Sequence, residues 1–315
     1  PFNDLGNITA VGIFAAWLLS IVFLPSLIKV VPFRVKVVEA SQSAPGIMSK
    51  WSDFVINNSR SVLMASVLAA VALMSMLPKV ELNDQWIEYF DHRVEFRNDS
   101  EFTIDNLTGI LQVEFSVPGE GEGGISEPEY LANLEKFVDW LRVQPEVRHV
   151  YSYSDIIKRL NKNMHGDDQS YYRVPDNREL AAQYLFLYEM SLPYGLDLND
   201  RINVNKSATR VTATLDRIST RETREFLARA ESWLQYNVPA YMYNKPTSAT
   251  VMFSWISKRN IDSMLIGNII AVSVIAIILI ISLRHVGLGL LSIIPNTIPI
   301  LMTFGIWGLL VGKVG

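Results

Sequence analysis

Four long apolar runs divide the chain, at 7–31, 61–77, 261–283 and 286–311. About 20 apolar residues, each rising about 1.5 Å along a helix, span a hydrocarbon core of about 30 Å. The last two runs are separated only by the basic corner Arg284-His285, so they form a hairpin. The pattern therefore predicts an α-helical membrane bundle segment of four transmembrane helices.

The last apolar run contains two prolines and several spaced glycines. Pro295 and Pro299 each leave a backbone carbonyl without a hydrogen-bond donor, and lipid cannot supply one. We therefore expect both rings to face protein neighbours and the side chains of Asn296 and Thr297 to help satisfy the backbone. The glycines would let another helix approach closely. The candidate residues for kinking and bundle packing are Pro295, Asn296, Pro299, Gly305 and Gly308.

Between the first two spans, apolar residues recur at helical spacing from 45 to 58. This pattern is typical of an amphipathic helix on a membrane surface, and a short soluble connector helix fits it equally well. Long loops are translocated regardless of charge, whereas short basic loops stay inside. We therefore predict two transmembrane helices joined by a cytoplasmic amphipathic helix in 1–78, an extracytoplasmic domain in 79–260 and a transmembrane hairpin in 261–315.

The polar segment 79–260 alternates between strand and helix patterns. Apolar residues at every second position predict strands at 110–117 and 208–215, and two further short strands are predicted at 147–153 and 247–253. Apolar stripes at helical spacing predict helices at 126–143 and 220–236, with a helical insertion at 155–163 and 176–190.

The order of these elements is strand-helix-strand, insertion, strand-helix-strand. This order predicts an α+β ferredoxin-like domain, a split βαβ fold with a helical insertion. Both sheet-covering helices have one apolar face and one charged face, so we expect them on the same side of the sheet, with Phe137 and Trp233 in the core. Trp86, Tyr89 and Phe90 follow the second span and are candidate aromatics of the membrane interface or of a substrate path.

Composition narrows the possible functions. A hydrophobic fraction of 49% and a mean hydropathy of +0.19 fit a chain that is part membrane and part soluble domain. A net charge of -4 without a basic stripe indicates no nucleic-acid partner. With no cysteine, disulfides and thiolate chemistry are excluded.

No motif in the polar segment points to catalysis. Its histidines, His92, His149 and His165, lack the spacing of metal ligands, and the glycine-rich loop at 118–124 is acidic and lacks a Gly-Lys-Ser/Thr sequence. We therefore predict that the chain is not an enzyme and has no catalytic, cofactor-binding or metal residues. No ionisable residue lies in the middle of a span, so we expect no proton relay in this chain.

The order of elements is similar to that of the resistance-nodulation-division (RND) superfamily, and closest to its MmpL-like branch of hydrophobe and amphiphile exporters. The similarity covers almost the whole chain and rests on the order of the elements. The motifs that support it include Leu24-Pro25-Ser26-Leu27, Asn83-Asp84 with Tyr89-Phe90, Pro145-Glu146-Val147, Ser282-Leu283-Arg284-His285 and Ile294-Pro295-Asn296-Thr297-Ile298-Pro299.

The resemblance implies a proton-driven exporter of lipids or other amphiphilic molecules in the bacterial cytoplasmic (inner) membrane. The chain would be an internal fragment that carries the sixth to ninth of twelve helices and the second porter domain. Its partners would be the remaining helices and porter domain, the lipid bilayer, the amphiphilic substrate and further copies of the transporter. The proton relay would lie in other helices, and we expect an acidic residue in the helix that follows.

Two other functions fit the same pattern. One is a membrane-anchored receptor or scaffold whose outer domain binds a ligand. The other is an ABC-type permease subunit, which would need a separate ATPase. Dependence of transport on a proton gradient or on ATP separates the exporter from the permease.

Overall fold

Long apolar helices dominate the computed structural model, which describes residues 2–31, 47–83, 86–193 and 196–314. Four helices are long and apolar enough to cross a membrane, and they cover Gly6–Val30, Ser59–Lys79, Ala249–Leu283 and Val286–Leu310. The four predicted spans are therefore confirmed as apolar helices. The chain divides into two units, Pro1–Leu68 and Ala69–Gly315, each described by itself below.

The first unit begins with a helix that contains a π-helical turn. Helix α1 (Phe2–Leu18) runs through the π turn (Leu19–Phe23) into α2 (Leu24–Val30). Pro25 lies in the first turn of α2. A proline ring clashes with the carbonyl four residues before it, and a π turn at that point widens the helix. The span therefore continues past Pro25 to Val30.

The predicted amphipathic segment forms α3 (Ile47–Asn57). Residues 45 and 46 of the predicted range lie outside the described residues. Met48, Trp51 and Phe54 are exposed, as a helix with one apolar face requires for contact with a membrane surface. Helix α4 (Ser59–Met74) follows almost directly and forms most of the second span.

The second unit contains the α+β domain and the C-terminal hairpin. Its elements are β1 (Glu81–Leu82), α5 (Glu95–Asn106), β2 (Leu111–Pro118), α6 (Pro128–Arg142), β3 (Val147–Tyr151), α7 (Tyr153–Met164), α8 (Arg178–Ser191), β4 (Ala208–Leu215), α9 (Thr220–Asn237), α10 (Ala249–Leu283), α11 (Val286–Leu291), α12 (Ile293–Leu310) and β5 (Lys313–Val314).

The domain is built on a three-stranded antiparallel sheet in the order β2-β4-β3. Leu111 pairs with Leu215 and Pro118 with Ala208, so β2 and β4 are in register over their whole length. Alternate residues of β2 are buried, as period-two patterning requires. Three of the four predicted strands are thus confirmed.

The prediction of a fourth strand at 247–253 is wrong. Only Thr247 pairs with the sheet, through two backbone hydrogen bonds with Glu114 of 3.0 and 2.8 Å. The Ser248 side chain then accepts a hydrogen bond from the Val251 N–H and caps α10. Because this cap starts a helix that continues into the membrane span, the local β propensity of the segment does not prevail.

Helices α6 and α9 cover the same face of the sheet. Phe137 of α6 meets Phe115 of β2 edge-on, with ring centroids 5.1 Å apart, and stacks on Trp233 of α9 at 5.5 Å. Phe137 is fully buried, as predicted. Trp233 is only partly buried, because it lies outside Phe137 and next to Trp140, so the prediction of a core position for it is corrected.

The predicted helical insertion is confirmed as α7 and α8. Its inner side is held by the buried Asn161, whose amide donates to the carbonyls of Tyr171 and Arg173 and accepts from the Tyr184 hydroxyl. These bonds fix the connection between the two helices. The insertion therefore stands as an ordered layer beside the edge strand β3.

Candidate functional site at the junction of the membrane helices and the α+β domain

Helix α10 joins the domain to the membrane without a break. It has 35 residues, about 52 Å at a rise of about 1.5 Å per residue, which exceeds the thickness of a hydrocarbon core. The boundary expected at residue 260 therefore falls inside one helix. A displacement of the domain end of α10 moves its membrane end as well, because no loop intervenes.

The first half of α9 packs on the domain end of α10 through polar contacts. Arg224 donates from Nη1 to the carbonyl of Ser254 at 2.6 Å, and the hydroxyls of Thr220 and Ser257 lie 3.5 Å apart. Ser254 and Ser257 are each 1% exposed, and their small side chains let the two helices approach closely. Burial lowers the pKa of the Arg224 guanidinium, although nearby Asp262 and Glu225 act in the opposite direction.

Asn83, just after the second span, caps the same end of α9. Its side chain is buried, and its Oδ1 accepts a hydrogen bond of 3.0 Å from the Thr220 N–H. The first N–H groups of a helix have no partner within the helix, so each needs an outside acceptor. Ser219 and Glu222 satisfy the neighbouring groups as a capping box. Asn83 therefore ties the second span to α9.

The ends of the second and fourth spans meet in a short parallel ladder. Glu81 pairs with Lys313 and Leu82 with Val314, which forms the two-stranded sheet β1-β5. We define the junction as this ladder, Asn83, the start of α9 and the start of α10. Three of the four spans reach the domain at this junction.

The predicted packing glycines lie below the junction, on α12. A Cβ at Gly305 would overlap the backbone oxygen of Leu73, and a Cβ at Gly308 would come within 2.9 Å of the Met76 oxygen. Both glycines are buried. The end of the second span therefore lies directly against the backbone of α12 at these two positions.

The two prolines shape the fourth span. The apolar run divides at Ser292 into α11 and α12, with Pro295 in the first turn of α12 and Pro299 inside it. The Asn296 amide donates to the Ser292 carbonyl at 2.8 Å. This carbonyl already accepts from the Asn296 N–H at 3.3 Å and is not one that a proline leaves free, so the role expected of Asn296 is not seen. The hydrogen bonds in this described segment include none from the Thr297 hydroxyl. Both proline rings are exposed, so the expectation that they face protein neighbours is not met within this chain.

Two of the candidate aromatics, Trp86 and Tyr89, lie in a 3-10 turn just past Asn83 (Trp86–Tyr89), and Phe90 directly follows the turn. Tyr89 and Phe90 are exposed, and the Phe90 ring contacts Phe96 of α5 at 5.2 Å. The side chain of Trp86 is outside the described residues. The turn is anchored instead by the buried Ile87, whose carbonyl accepts from Arg97 at 2.9 Å. Helix α5, which the sequence patterns missed, therefore positions this turn.

No family model matches the chain, and no curated protein matches it.

Across the described ranges, no group of three or more His, Asp or Glu side chains could hold a metal ion. Function must therefore be inferred from the geometry of the chain itself.

Asn83→Ala should lower the free energy of unfolding by about 2 kcal/mol, because it leaves the buried Thr220 N–H without its acceptor. The change is measured as a shift in the thermal unfolding midpoint of the detergent-solubilised protein. Asn237→Ala is the control: Asn237 is exposed at the other end of α9, and among the described residues its side chain bonds only within its own helix, to Trp233. Equal shifts in the two variants would show that Asn83 does not hold the junction.

Proposed function

We propose that this chain is part of a proton-driven membrane exporter of lipids or other amphiphilic molecules, of the RND type, and that it is not an enzyme. The observation that carries the proposal is α10, the single helix shared by the domain and the membrane. In an exporter, a proton-driven shift in the membrane must reach the domain that handles the substrate. A continuous helix clamped by α9 transmits such a shift.

The junction favours an exporter over an anchored receptor or scaffold. Anchoring a domain needs one apolar helix, whereas here the second, third and fourth spans all reach the junction. At most 6% of the apolar window of each span is buried. The spans thus have free faces for lipid, for the remaining helices and porter domain of the same transporter, and for further copies in a homo-oligomer.

We further propose that the domain is a ferredoxin-like porter domain. Thr247 bridges to β2, so the spatial order is residue 247, β2, β4 and β3. This is the strand order of a split βαβ fold whose fourth strand is reduced to one bridge. The common face covered by α6 and α9 supports the same fold.

We propose the bacterial inner membrane as the location, with the domain on the extracytoplasmic side. The basic residues Lys50, Arg60 and Arg284 flank the short loops, which supports an inside position for these loops. A single cysteine introduced at position 50 of this cysteine-free chain should resist an impermeant thiol reagent in intact cells, whereas one at the exposed position 236 should react. The reverse labelling would contradict this orientation.

The exporter proposal is tested with inside-out membrane vesicles that contain the whole protein. A fluorescent phospholipid analogue should accumulate in them when a proton gradient is imposed, and a protonophore should abolish the accumulation. Accumulation that requires ATP and ignores the protonophore would favour an ABC-type permease instead. Binding of the analogue without any accumulation would favour a receptor or scaffold.

A further inference from the structure

A cavity of about 400 Å³ lies between the edge strand β3 and the helical insertion. Ligand sites for small molecules have volumes of roughly 300–1,000 Å³, so this cavity is large enough for a headgroup. Its apolar lining includes Val150, Ile156 and Leu160, and its polar lining includes Arg142, His149, Asp155 and Arg159. None of its lining residues belongs to the junction or to a membrane helix.

The single carboxylate of the lining is already neutralised. Asp155 accepts from Arg142 at 2.6 Å and lies 3.4 Å from the Nζ of Lys158. Lys158 is 4% exposed and is held by Glu135 at 2.9 Å. Burial by itself would lower the pKa of Lys158, but the hydrogen bond and the charges of Glu135 and Asp155 raise it above its usual value. Asp155 therefore does not compete for the other cations of the lining.

Arg159 is a cation of the lining whose charge is not paired among the described residues. Within the part of the chain that the structure describes, it has no carboxylate at ion-pair distance, and its side chain is exposed at the cavity. By contrast, Arg173 in the same insertion pairs with Asp176 at 3.0 Å. A free guanidinium presents a fork of N–H donors that matches phosphate and carboxylate oxygens.

Three tyrosines complete the wall of the cavity, Tyr151, Tyr172 and Tyr188. The rings of the first two are held by cations: the Arg201 guanidinium lies 4.5 Å from the centre of Tyr151, and the Nζ of Lys158 lies 5.2 Å from that of Tyr172. Aromatic faces next to hydroxyl groups suit the glycerol and upper acyl part of an amphiphile, which is apolar on one side and polar on the other.

We propose that this cavity binds the anionic headgroup of an amphiphile, with Arg159 contacting its phosphate or carboxylate oxygens and the tyrosines packing against the adjoining part. The proposal rests on the exporter function and names the substrate class of that function. The chain as a whole carries a net charge of -4, so a general positive field does not attract anions. Selection for an anion must therefore come from the local donors.

The test is a calorimetric titration of the whole protein in an uncharged detergent. The probes are a short-chain phosphatidylglycerol, the matching zwitterionic phosphatidylcholine and inorganic phosphate. The phosphatidylglycerol should bind roughly tenfold more tightly than the phosphatidylcholine, and Arg159→Gln should weaken its binding roughly tenfold. Arg173→Gln, the matched control, should leave binding unchanged because that arginine lies outside the cavity lining.

Equal affinity for the two lipids, or equal effects of the two arginine variants, would overturn the proposal. Inorganic phosphate that binds as tightly as the anionic lipid would overturn the amphiphile part of it. Tyr188→Leu gives a second measurement that does not depend on the folding of Arg159→Gln, and it should weaken lipid binding and leave phosphate binding unchanged. If proton-driven transport persists while no lipid binds in this cavity, the cavity proposal is wrong and the exporter proposal is unaffected.

Discussion

Gly305→Leu should destabilise the protein by about 3 kcal/mol or more, because the new side chain cannot fit against the second span. Even a Cβ at this position would overlap the backbone oxygen of Leu73. A flexible side chain can move aside, but a helix backbone cannot do so without shifting the helix. The second span must therefore separate from α12, and the β1-β5 ladder just beyond it should loosen as well.

The measurement is the unfolding midpoint of the solubilised protein in a denaturing detergent series. Gly267→Leu is the matched control, because Gly267 lies in α10 with no atom within 4 Å of the position of its Cβ. Leucine is a better helix former than glycine by roughly 0.8 kcal/mol, so this control should keep or slightly raise the midpoint. Midpoints that fall equally in both variants would mean that the close contact at Gly305 does not exist.

The membrane helices are the part of the fold that the sequence predicts best. Lipid offers no hydrogen bonds, so a span must be one long apolar run, and composition alone reveals it. The strands and helices between 110 and 237 also follow from their periodicity, since each buries one face in the same core. Even the insertion is visible as two helical patterns between the halves.

The secondary-structure predictions fail where contacts with distant parts of the chain determine the local structure. The segment 247–253 has strand-like residues, yet the Ser248 cap and the span that follows make it the start of α10. Helix α5 (Glu95–Asn106) has only a weak apolar stripe, and the partly buried ion pair of Arg97 with Glu101 at 2.6 Å helps to hold it. In the first case the local pattern indicates the wrong element, and in the second the stripe is too weak to predict a helix.

The junction and the cavity at Arg159 also could not be predicted from sequence patterns. Asn83 and Thr220 are 137 residues apart, and an asparagine after a membrane helix resembles any polar flank. Ser254 and Ser257 look like weak helix residues until their burial against α9 is seen. Arg159 stands out only because its neighbours have carboxylate partners. In each case the informative property is what the side chain contacts, which a single sequence does not contain.

Phe137→Ala should cost about 4 kcal/mol of stability in the α+β domain, since truncating a fully buried phenylalanine removes its apolar area and leaves a cavity. The ring is 0% exposed and contacts Phe115 and Trp233, so both aromatic contacts are lost together. Trp233→Ala should cost less, about 2 kcal/mol, because a partly buried ring loses less contact with the core. The sequence patterns predict both residues in the core and so provide no reason to expect different costs.

Urea unfolding of the solubilised protein, followed by tryptophan fluorescence, measures the Phe137→Ala effect, because Trp140 and Trp233 lie beside Phe137 and report on this face of the domain. Tyr236→Ala on α9 is the control: its side chain is 86% exposed, so its cost should stay within about 0.5 kcal/mol. A Phe137→Ala midpoint equal to that of Tyr236→Ala would mean that α6 does not cover the sheet. The common helical face on which the porter-domain proposal depends would then be lost.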